Sequence, residues 1–122
     1  MLSSMTPRMV ETKDRTAVIG TPGGSRIITM VLLGVLNFYD EKSAQEIVDG
    51  GRYHHQYLPD EISYEADVFD DALVAALHKL GHKTNALDNT YGNMQVIVID
   101  KASGRVQAAS DRRGIGQAVV LQ

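Results

Sequence analysis

The sequence predicts an α+β fold in which antiparallel strands pack on helices. Strand-like runs form local pairs near both ends of the chain, and helical periodicities are grouped between them. The strict alternation of strand and helix that a doubly wound sheet requires does not occur. The chain has 122 residues, 43% of them hydrophobic, which suffices for one modest core. A single unit over residues 1–122 is therefore expected, with elements in the order ββ, α, α, β, α, ββ.

The first two strands and the first helix flank a glycine-rich turn. Strand-like runs extend from Met9 to Thr12 and from Thr16 to Ile19, and the three polar residues between them suit a hairpin connection. The sequence GTPGGS at positions 20–25 then breaks the strand pattern. Apolar residues recur three and four positions apart after it, which predicts a helix from about Ser25 to about Phe38.

Two further helices are predicted in the middle of the chain. The first runs from Lys42 to Asp49, with Ser43 as the candidate N-cap and two glycines after it. The second runs from Ala72 to Leu80, where two aspartates precede the apolar face and Gly81 ends the pattern. Between these helices, the apolar residues Ile62, Tyr64 and Ala66 alternate with Ser63 and Glu65, which predicts a half-buried strand after a turn at Pro59.

The last predicted element is a second hairpin. Asn93 to Asp100 is rich in β-branched residues, the next four residues favour a turn, and Arg105 to Ala109 resumes an alternating pattern. The tail GIGQAVVLQ has no evident partner.

Composition excludes several classes of function. Twelve basic and fifteen acidic residues give a formal net charge of -3, so the chain lacks the positive footprint of a nucleic-acid-binding protein. The absence of cysteine removes disulfides and thiolate chemistry. The longest apolar run, Ile27 to Leu36, is too short to span a bilayer, so we expect no membrane span.

The histidines and carboxylates predict no metal site. His78 and His82 are four positions apart, but Gly81 lies between them and is expected to end the helix. The adjacent His54 and His55 would point to opposite sides of an extended segment. The acidic pairs at 60–61 and 70–71 follow a turn or begin a helix, where capping and solvation account for them. The arginines of ASDRR, residues 109–113, are interpreted as a solvated turn.

Gly23 and Gly24 are the strongest candidates for chemistry. Glycine allows a close approach of the backbone, and the first amides of the following helix have no acceptor within that helix. Such amides suit a bound anion or an oxyanion that develops in acyl transfer. A phosphate loop is excluded because the glycine spacing differs and no lysine follows. The residues alone leave a plain turn with a helix cap as an equal alternative.

A second candidate is the serine pair in LSSM near the start of the chain. The hydroxyls of Ser3 and Ser4 could donate hydrogen bonds to a carboxylate, although most such pairs are ordinary loop residues. No histidine or lysine base lies nearby in the sequence, so a serine nucleophile is only weakly indicated.

Five motifs in fixed order resemble the carboxy-terminal part of the small subunit of γ-glutamyltransferases (γ-glutamyltranspeptidases). They are LSSMTP at 2–7, GTPGGSRIIT at 20–29, RYHHQYLPDEISYE at 52–65, LGH at 80–82 and AASD at 108–111. The resemblance covers nearly the whole chain. It implies a partial αββα sandwich of the N-terminal-nucleophile hydrolase type, antiparallel strands packed on helices.

The resemblance also implies an activity and site roles. Enzymes of this family transfer the γ-glutamyl group of donors such as glutathione, through an acyl-enzyme, to water or to an amino acid or peptide. By this resemblance, Ser3 and Ser4 bind the α-carboxylate of the substrate, and the amides of Gly23 and Gly24 form the oxyanion hole. The resemblance implies no metal and no cofactor. It implies a periplasmic or extracellular location.

The chain departs from the family in ways that lead us to expect a fragment. The family nucleophile is a threonine at the start of the small subunit, whereas Met1 leads here and Thr6 lies inside the serine motif. The groups that bind the α-amino group precede that motif, and an arginine of the large subunit binds the α-carboxylate. Gly51 and Arg112 also replace the usual prolines. The large subunit and the upstream part of the small subunit are therefore expected partners, and the chain alone is expected to be inactive.

A different class of function remains open: a non-catalytic binding or interaction module that keeps the fold. Missing layers of the sandwich would leave apolar faces uncovered and favour homo-oligomers. A monomeric chain with a cooperative melt would favour the module, and obligatory association would favour an incomplete enzyme.

Overall fold

The computed structural model describes residues 7–121, which divide into two compact units. The larger unit contains residues 7–50 and 92–121, and the smaller unit is Gly51–Tyr91. The prediction of a single unit over residues 1–122 stays a prediction. The elements in chain order are β1 (Arg8–Glu11), β2 (Arg15–Gly20), α1 (Ile27–Tyr39), α2 (Ala44–Asp49), β3 (Tyr53–His54), β4 (Ile62–Glu65), α3 (Asp71–Lys79), β5 (Thr84–Leu87), β6 (Gln95–Asp100) and β7 (Val106–Ser110).

The larger unit is built on a four-stranded antiparallel sheet in the order β1-β2-β6-β7. The register places Ile19 opposite Val96 and Val18 opposite Ile97. Ile19 and Val96 are buried, whereas Ile97 is 42% exposed. One face of the sheet is therefore buried and the other is more exposed, because successive side chains of a strand point to opposite faces. Both predicted hairpins are confirmed.

Helices α1 and α2 cover the buried face of this sheet. Helix α1 packs against β2, and α2 packs against β6 and β7. The Gly34 Cα comes so close to the sheet that a Cβ there would lie 3.3 Å from atoms of Ile19 and Met94. The core of the unit consists mainly of aliphatic side chains and Phe38 from these elements. Both helices are confirmed within a few residues of their predicted bounds.

The starts of these helices follow different local rules. Ser43 caps α2 in a capping box: its hydroxyl accepts from the Glu46 amide, and the Glu46 carboxylate accepts from the Ser43 amide at 2.8 Å. Helix α1 has no side-chain cap and begins with one turn of 3₁₀ helix, Gly24–Arg26. From Ile27 to Tyr39 the helix carries no charged residue. Its outer side exposes a line of large apolar side chains, namely Ile28, Leu32, Leu36 and Tyr39.

The smaller unit contains a three-stranded sheet in the order β3-β4-β5. Strands β3 and β4 are antiparallel, but β4 and β5 are parallel, with helix α3 as the connection between them. Strand β5 was not predicted. The rings of Tyr64 and Phe69 stack with centroids 4.5 Å apart, and Tyr53 lies against Phe69 at 5.4 Å.

Two predictions for the smaller unit need correction. Glu65 was expected on the polar side of its strand but is 2% exposed, because its carboxylate accepts hydrogen bonds from the amides of Arg52 and Tyr91. The α3 helix forms as predicted, with Asp70 as its N-cap, but it buries no residue among those described. Leu80, at its end, is 76% exposed. Among residues 7–121, no helix is long and apolar enough to cross a membrane.

Candidate functional site

The two glycines of GTPGGS lie where strand β2 gives way to the start of α1. Gly23 has φ 151° and ψ 18°, and Gly24 has φ 60°, which are conformations that side chains disfavour. A Cβ at Gly23 would overlap the Met30 methyl group, so the backbone here is also packed closely. The positive φ is the stronger reason for glycine at Gly23, because the Met30 methyl group is the end of a flexible side chain and can shift.

The turn presents backbone amides at a helix start. The Gly23 carbonyl accepts from the Arg26 amide at 3.2 Å, which closes the 3₁₀ turn. Within residues 7–121, the amides of Gly24 and Ser25 donate no hydrogen bond to a backbone carbonyl, and no side chain caps the turn. All three residues from Gly23 to Ser25 are exposed. Exposed amides without acceptors at a helix start are suited to negative charge.

Thr21 anchors the start of this turn. Its side chain is fully buried, and its hydroxyl donates to the Pro22 carbonyl at 2.9 Å. The same oxygen accepts from the Asn93 amide at 3.3 Å, so the turn is tied to the segment that leads into β6. Sequence reasoning missed Thr21, since a threonine before Pro-Gly-Gly carries no signal of burial.

The serine pair, Ser3 and Ser4, lies outside the described residues. The register of β1 with β2 places Arg8 opposite Ile19, so the chain enters the sheet beside the strand end that leads to the glycine turn. Pro7 and Gly20 both line a cavity of about 480 Å³ in the larger unit. Its other walls come from the strands and from the tail, including Val18, Ile97 and Val119.

Three of the four histidines in the described chain, His54, His55 and His78, have separate side-chain partners. His55 Nε2 lies 3.1 Å from an Asp60 carboxylate oxygen, His54 Nε2 lies 2.9 Å from the Gln56 amide oxygen, and His78 Nε2 lies 2.9 Å from the Thr84 hydroxyl. Among residues 7–121, no three histidine or acidic side chains are grouped to hold a metal ion.

The ASDRR segment corrects a prediction. Its arginines were interpreted as a solvated turn, and this holds for Arg112, whose side chain is 77% exposed. Arg113 is only 14% exposed in its side chain; its guanidinium bonds the Asp111 carboxylate at 3.2 Å and the carbonyls of Val48 and Gly50. Asp111 itself is 1% exposed. This buried pair holds the strand end against the end of α2.

Among the described residues of the larger unit, the carboxylates of Glu46 and Asp100 have lowered pKa values. The backbone and side-chain hydrogen bonds from Ser43 lower the pKa of Glu46. The hydrogen bonds from the hydroxyl and amide of Ser103 lower the pKa of Asp100. In each case the hydrogen bonds stabilise the ionised carboxylate. The two carboxylates belong to a helix cap and a turn away from the glycine pair.

Comparisons with known proteins identify the family. A model of the family described as gamma-glutamyltranspeptidase matches residues 1–121. The glutathione hydrolase proenzyme of Escherichia coli (strain K12) is 40% identical over 116 residues, which are 93% of this chain and 20% of that protein. The chain thus spans about a fifth of the length of this curated relative.

Solved structures agree in fold. The gamma-glutamyltranspeptidase from Pseudomonas nitroreducens complexed with L-DON matches with a TM-score of 0.82 and 34% identity, over 100% of this chain and 64% of that chain. A T380A mutant of Helicobacter pylori gamma-glutamyltranspeptidase gives a TM-score of 0.82 and 33% identity, over 93% of this chain and 62% of that chain. The α+β class and the N-terminal-nucleophile hydrolase fold are therefore confirmed, and the chain belongs to the gamma-glutamyltranspeptidase family.

Proposed function

We propose that this chain supplies the oxyanion hole and the carboxylate-binding serines of a γ-glutamyltransferase or γ-glutamyl hydrolase. The carrying observation is the glycine turn. Gly23 and Gly24 are exposed at the start of a helix, and both have positive φ angles, which glycine adopts most readily. By the family resemblance, they occupy the positions of the oxyanion hole. Family membership gives the expected donor class, which is glutathione and related γ-glutamyl compounds.

In the proposed reaction, a threonine hydroxyl outside this chain attacks the γ-carbonyl carbon of the donor. The carbonyl oxygen gains negative charge as the new C–O bond forms, and the amides of Gly23 and Gly24 donate hydrogen bonds to it. Collapse of this intermediate breaks the C–N bond, and the departing amine takes the proton that the threonine hydroxyl has lost. Water or an amine then attacks the resulting ester, the ester C–O bond breaks, and a proton of the attacking group returns to the threonine oxygen as the γ-glutamyl product leaves. Donors aimed at the developing oxyanion lower the barrier in both steps.

Ser3 and Ser4 are proposed to bind the α-carboxylate of the γ-glutamyl group. Two neighbouring hydroxyls can donate to the two carboxylate oxygens, and such charge-assisted bonds are stronger than neutral ones. These contacts would position the donor with its γ-carbonyl at the glycine turn. We therefore assign Ser3 and Ser4 to substrate binding, and Gly23 and Gly24 to stabilisation of the transition state.

The partners in this proposal are the large subunit and the upstream part of the small subunit. The chain matches only a fifth of the Escherichia coli relative. By the family resemblance, the nucleophilic threonine belongs to the part that precedes the matched segment. The chain alone is accordingly proposed to be inactive. By the family resemblance, the complete protein is proposed to act in the periplasm or outside the cell.

The test is a chimera in which this chain replaces the matching 116 residues of the Escherichia coli proenzyme. We expect self-processing and release of the aromatic amine from a γ-glutamyl anilide. Glycolic acid in place of Gly24, introduced as an α-hydroxy acid, turns the amide into an ester and removes one donor. The kcat should fall by about 10²- to 10³-fold while KM changes little.

The matched control is the same ester at Gly104, whose amide donates to the Asp100 carbonyl in a turn. This control should keep kcat within about twofold of the parent. A processed chimera without turnover would refute the proposal and favour the non-catalytic module. Equal rates for the two ester variants would refute the oxyanion role of Gly24.

A further inference from the structure

We propose that Thr21 is a positioning residue that sets the orientation of the Gly23 amide. The proposal rests on the oxyanion role proposed above and adds a residue that the family motif does not assign. It depends on three features of the turn: the contacts of the Thr21 hydroxyl, the geometry of the Pro22–Gly23 peptide and the packing of Met30.

The Thr21 hydroxyl has one proton, and its best acceptor is the carbonyl of the next residue. The oxygen lies 2.9 Å from the Pro22 carbonyl oxygen and 4.0 Å from the Met30 sulfur. The shorter contact to the stronger acceptor takes the proton. The lone pairs of the hydroxyl remain for the Asn93 amide, which donates at 3.3 Å. A fully buried side chain with both functions satisfied has little freedom to rotate.

Fixing the Pro22 carbonyl also fixes the Gly23 amide. The two groups belong to one planar peptide unit, and the Pro22–Gly23 bond is trans. In a trans peptide the N–H points opposite to the C=O. The Thr21 hydroxyl draws the carbonyl towards the interior, and the amide of Gly23 must then point away from it. Gly23 is exposed, so an amide directed away from the buried Thr21 hydroxyl lies where a substrate carbonyl can reach it.

Without the hydrogen bond from Thr21, the Pro22–Gly23 peptide plane could rotate, because the glycine on one side of it offers little resistance. A glycine flanking a peptide unit permits rotations that other residues resist. Met30 limits this freedom from the other side, because its methyl group fills the space beside Gly23. A methionine side chain is flexible and adapts readily, so packing alone restrains the plane weakly. The hydroxyl is therefore the directional restraint.

The first test measures kinetics in the chimera described above. Thr21→Val keeps the shape and removes the hydroxyl, and we expect kcat to fall at least about tenfold, with KM within about twofold of the parent. Thr21→Ser returns the hydroxyl and should recover kcat to within about threefold. The matched control, Thr16→Val on strand β2, which Thr21 directly follows, removes a hydroxyl that bonds the exposed Glu11 and should leave kcat unchanged.

The pattern of rescue separates positioning from mere stability. If Thr21 acted only by packing, Thr21→Val would retain kcat and Thr21→Ser, which loses the methyl group, would be the worse variant. That order would overturn the proposal. So would a Thr21→Val variant whose kcat lies within twofold of the parent.

The second test needs no turnover, so it separates failure of this inference from failure of the proposed function. In the full chain, the residual dipolar coupling of the Gly23 N–H bond reports its orientation. We expect Thr21→Val to change this coupling while those of β2 and β6 stay constant, and Thr21→Ser to preserve it. An unchanged coupling in Thr21→Val overturns the positioning role, whatever the chimera does.

A third measurement on the unsubstituted chain covers the case in which Thr21→Val does not fold. A buried, hydrogen-bonded hydroxyl proton exchanges slowly with water and gives a resolved resonance. We expect such a resonance for Thr21. A hydroxyl proton that exchanges as fast as that of an exposed threonine would overturn the proposal.

Discussion

Replacing Asp111 by alanine removes a fully buried carboxylate from the end of β7. That carboxylate accepts from the Met94 amide at 3.0 Å, from the Arg113 amide at 2.9 Å and from the Arg113 guanidinium at 3.2 Å. Breaking a buried ion pair on one side costs about 3–5 kcal/mol. The guanidinium keeps the carbonyls of Val48 and Gly50 as acceptors, which places the expected loss at the lower end, about 3 kcal/mol.

Urea unfolding followed by circular dichroism measures this loss. With a slope of about 2 kcal/mol per molar urea, the midpoint should fall by about 1.5 M for Asp111→Ala. The control is Arg112→Ala, which removes an exposed arginine 3.4 Å from Asp49 and should shift the midpoint by less than about 0.5 M. Equal midpoints for the two variants would refute the assignment of a stabilising role to the buried pair.

Two further predictions concern the caps and turns of the larger unit. Ser43→Ala removes the α2 cap and should lower the free energy of unfolding by about 1 kcal/mol, measured by urea unfolding, and Ser43→Asp, which keeps a capping oxygen, should not. Ser103→Ala should raise the pKa of Asp100 towards its ordinary value, because the variant lacks the hydroxyl that stabilises the ionised carboxylate in the parent. NMR titration measures this change. A carboxyl whose pKa is lower in the folded state than in the unfolded state adds to the free energy of unfolding at any pH above its ordinary pKa. This contribution is lost as the pH falls through the pKa of the folded state. The parent should therefore lose more stability than Ser103→Ala between pH 5 and pH 2, and an unchanged Asp100 pKa in the variant would contradict this reasoning.

Helices and hairpins were predictable because their signals are local. The apolar spacing of α1, the cap of α2 and the β-branched run of β6 each occupy a few consecutive residues, and the structure confirms all three. Strand β5 carries no such signal, since TNAL neither alternates nor contains a β-branched run. It is a strand because it pairs in parallel with β4, and a parallel partner cannot be recognised from the segment itself.

Charged residues were the other source of error, and for a related reason. Glu65 was assigned to the solvent side by its polarity, yet two backbone amides from separate segments bring it inside. Arg113 was assigned to a solvated turn, yet it bonds carbonyls more than sixty positions earlier in the chain. Burial of a charge depends on such distant partners, and one sequence does not show which segments meet.

The glycine pair marks the limit of the site prediction. Its backbone conformations and its place before a helix could be inferred from GTPGGS, and the structure has both. Thr21 could not be found in this way, because its role depends on the Asn93 amide and on the direction of a carbonyl. Threonine residues are mostly exposed, and the tertiary contacts of Thr21 override that preference.

The order of strands in the larger sheet has a consequence for how the chain is made. Strand β2 lies between β1, which precedes it directly, and β6, in which Gln95 pairs with Gly20. About 75 residues are translated between the end of β2 and the start of β6, which takes about 4 to 15 s at the usual rate of a ribosome. Throughout that interval the first hairpin has one edge of β2 without its neighbour, and unpaired edges attract other chains. The nascent chain is thus most vulnerable to mispairing while the residues of the smaller unit are still emerging.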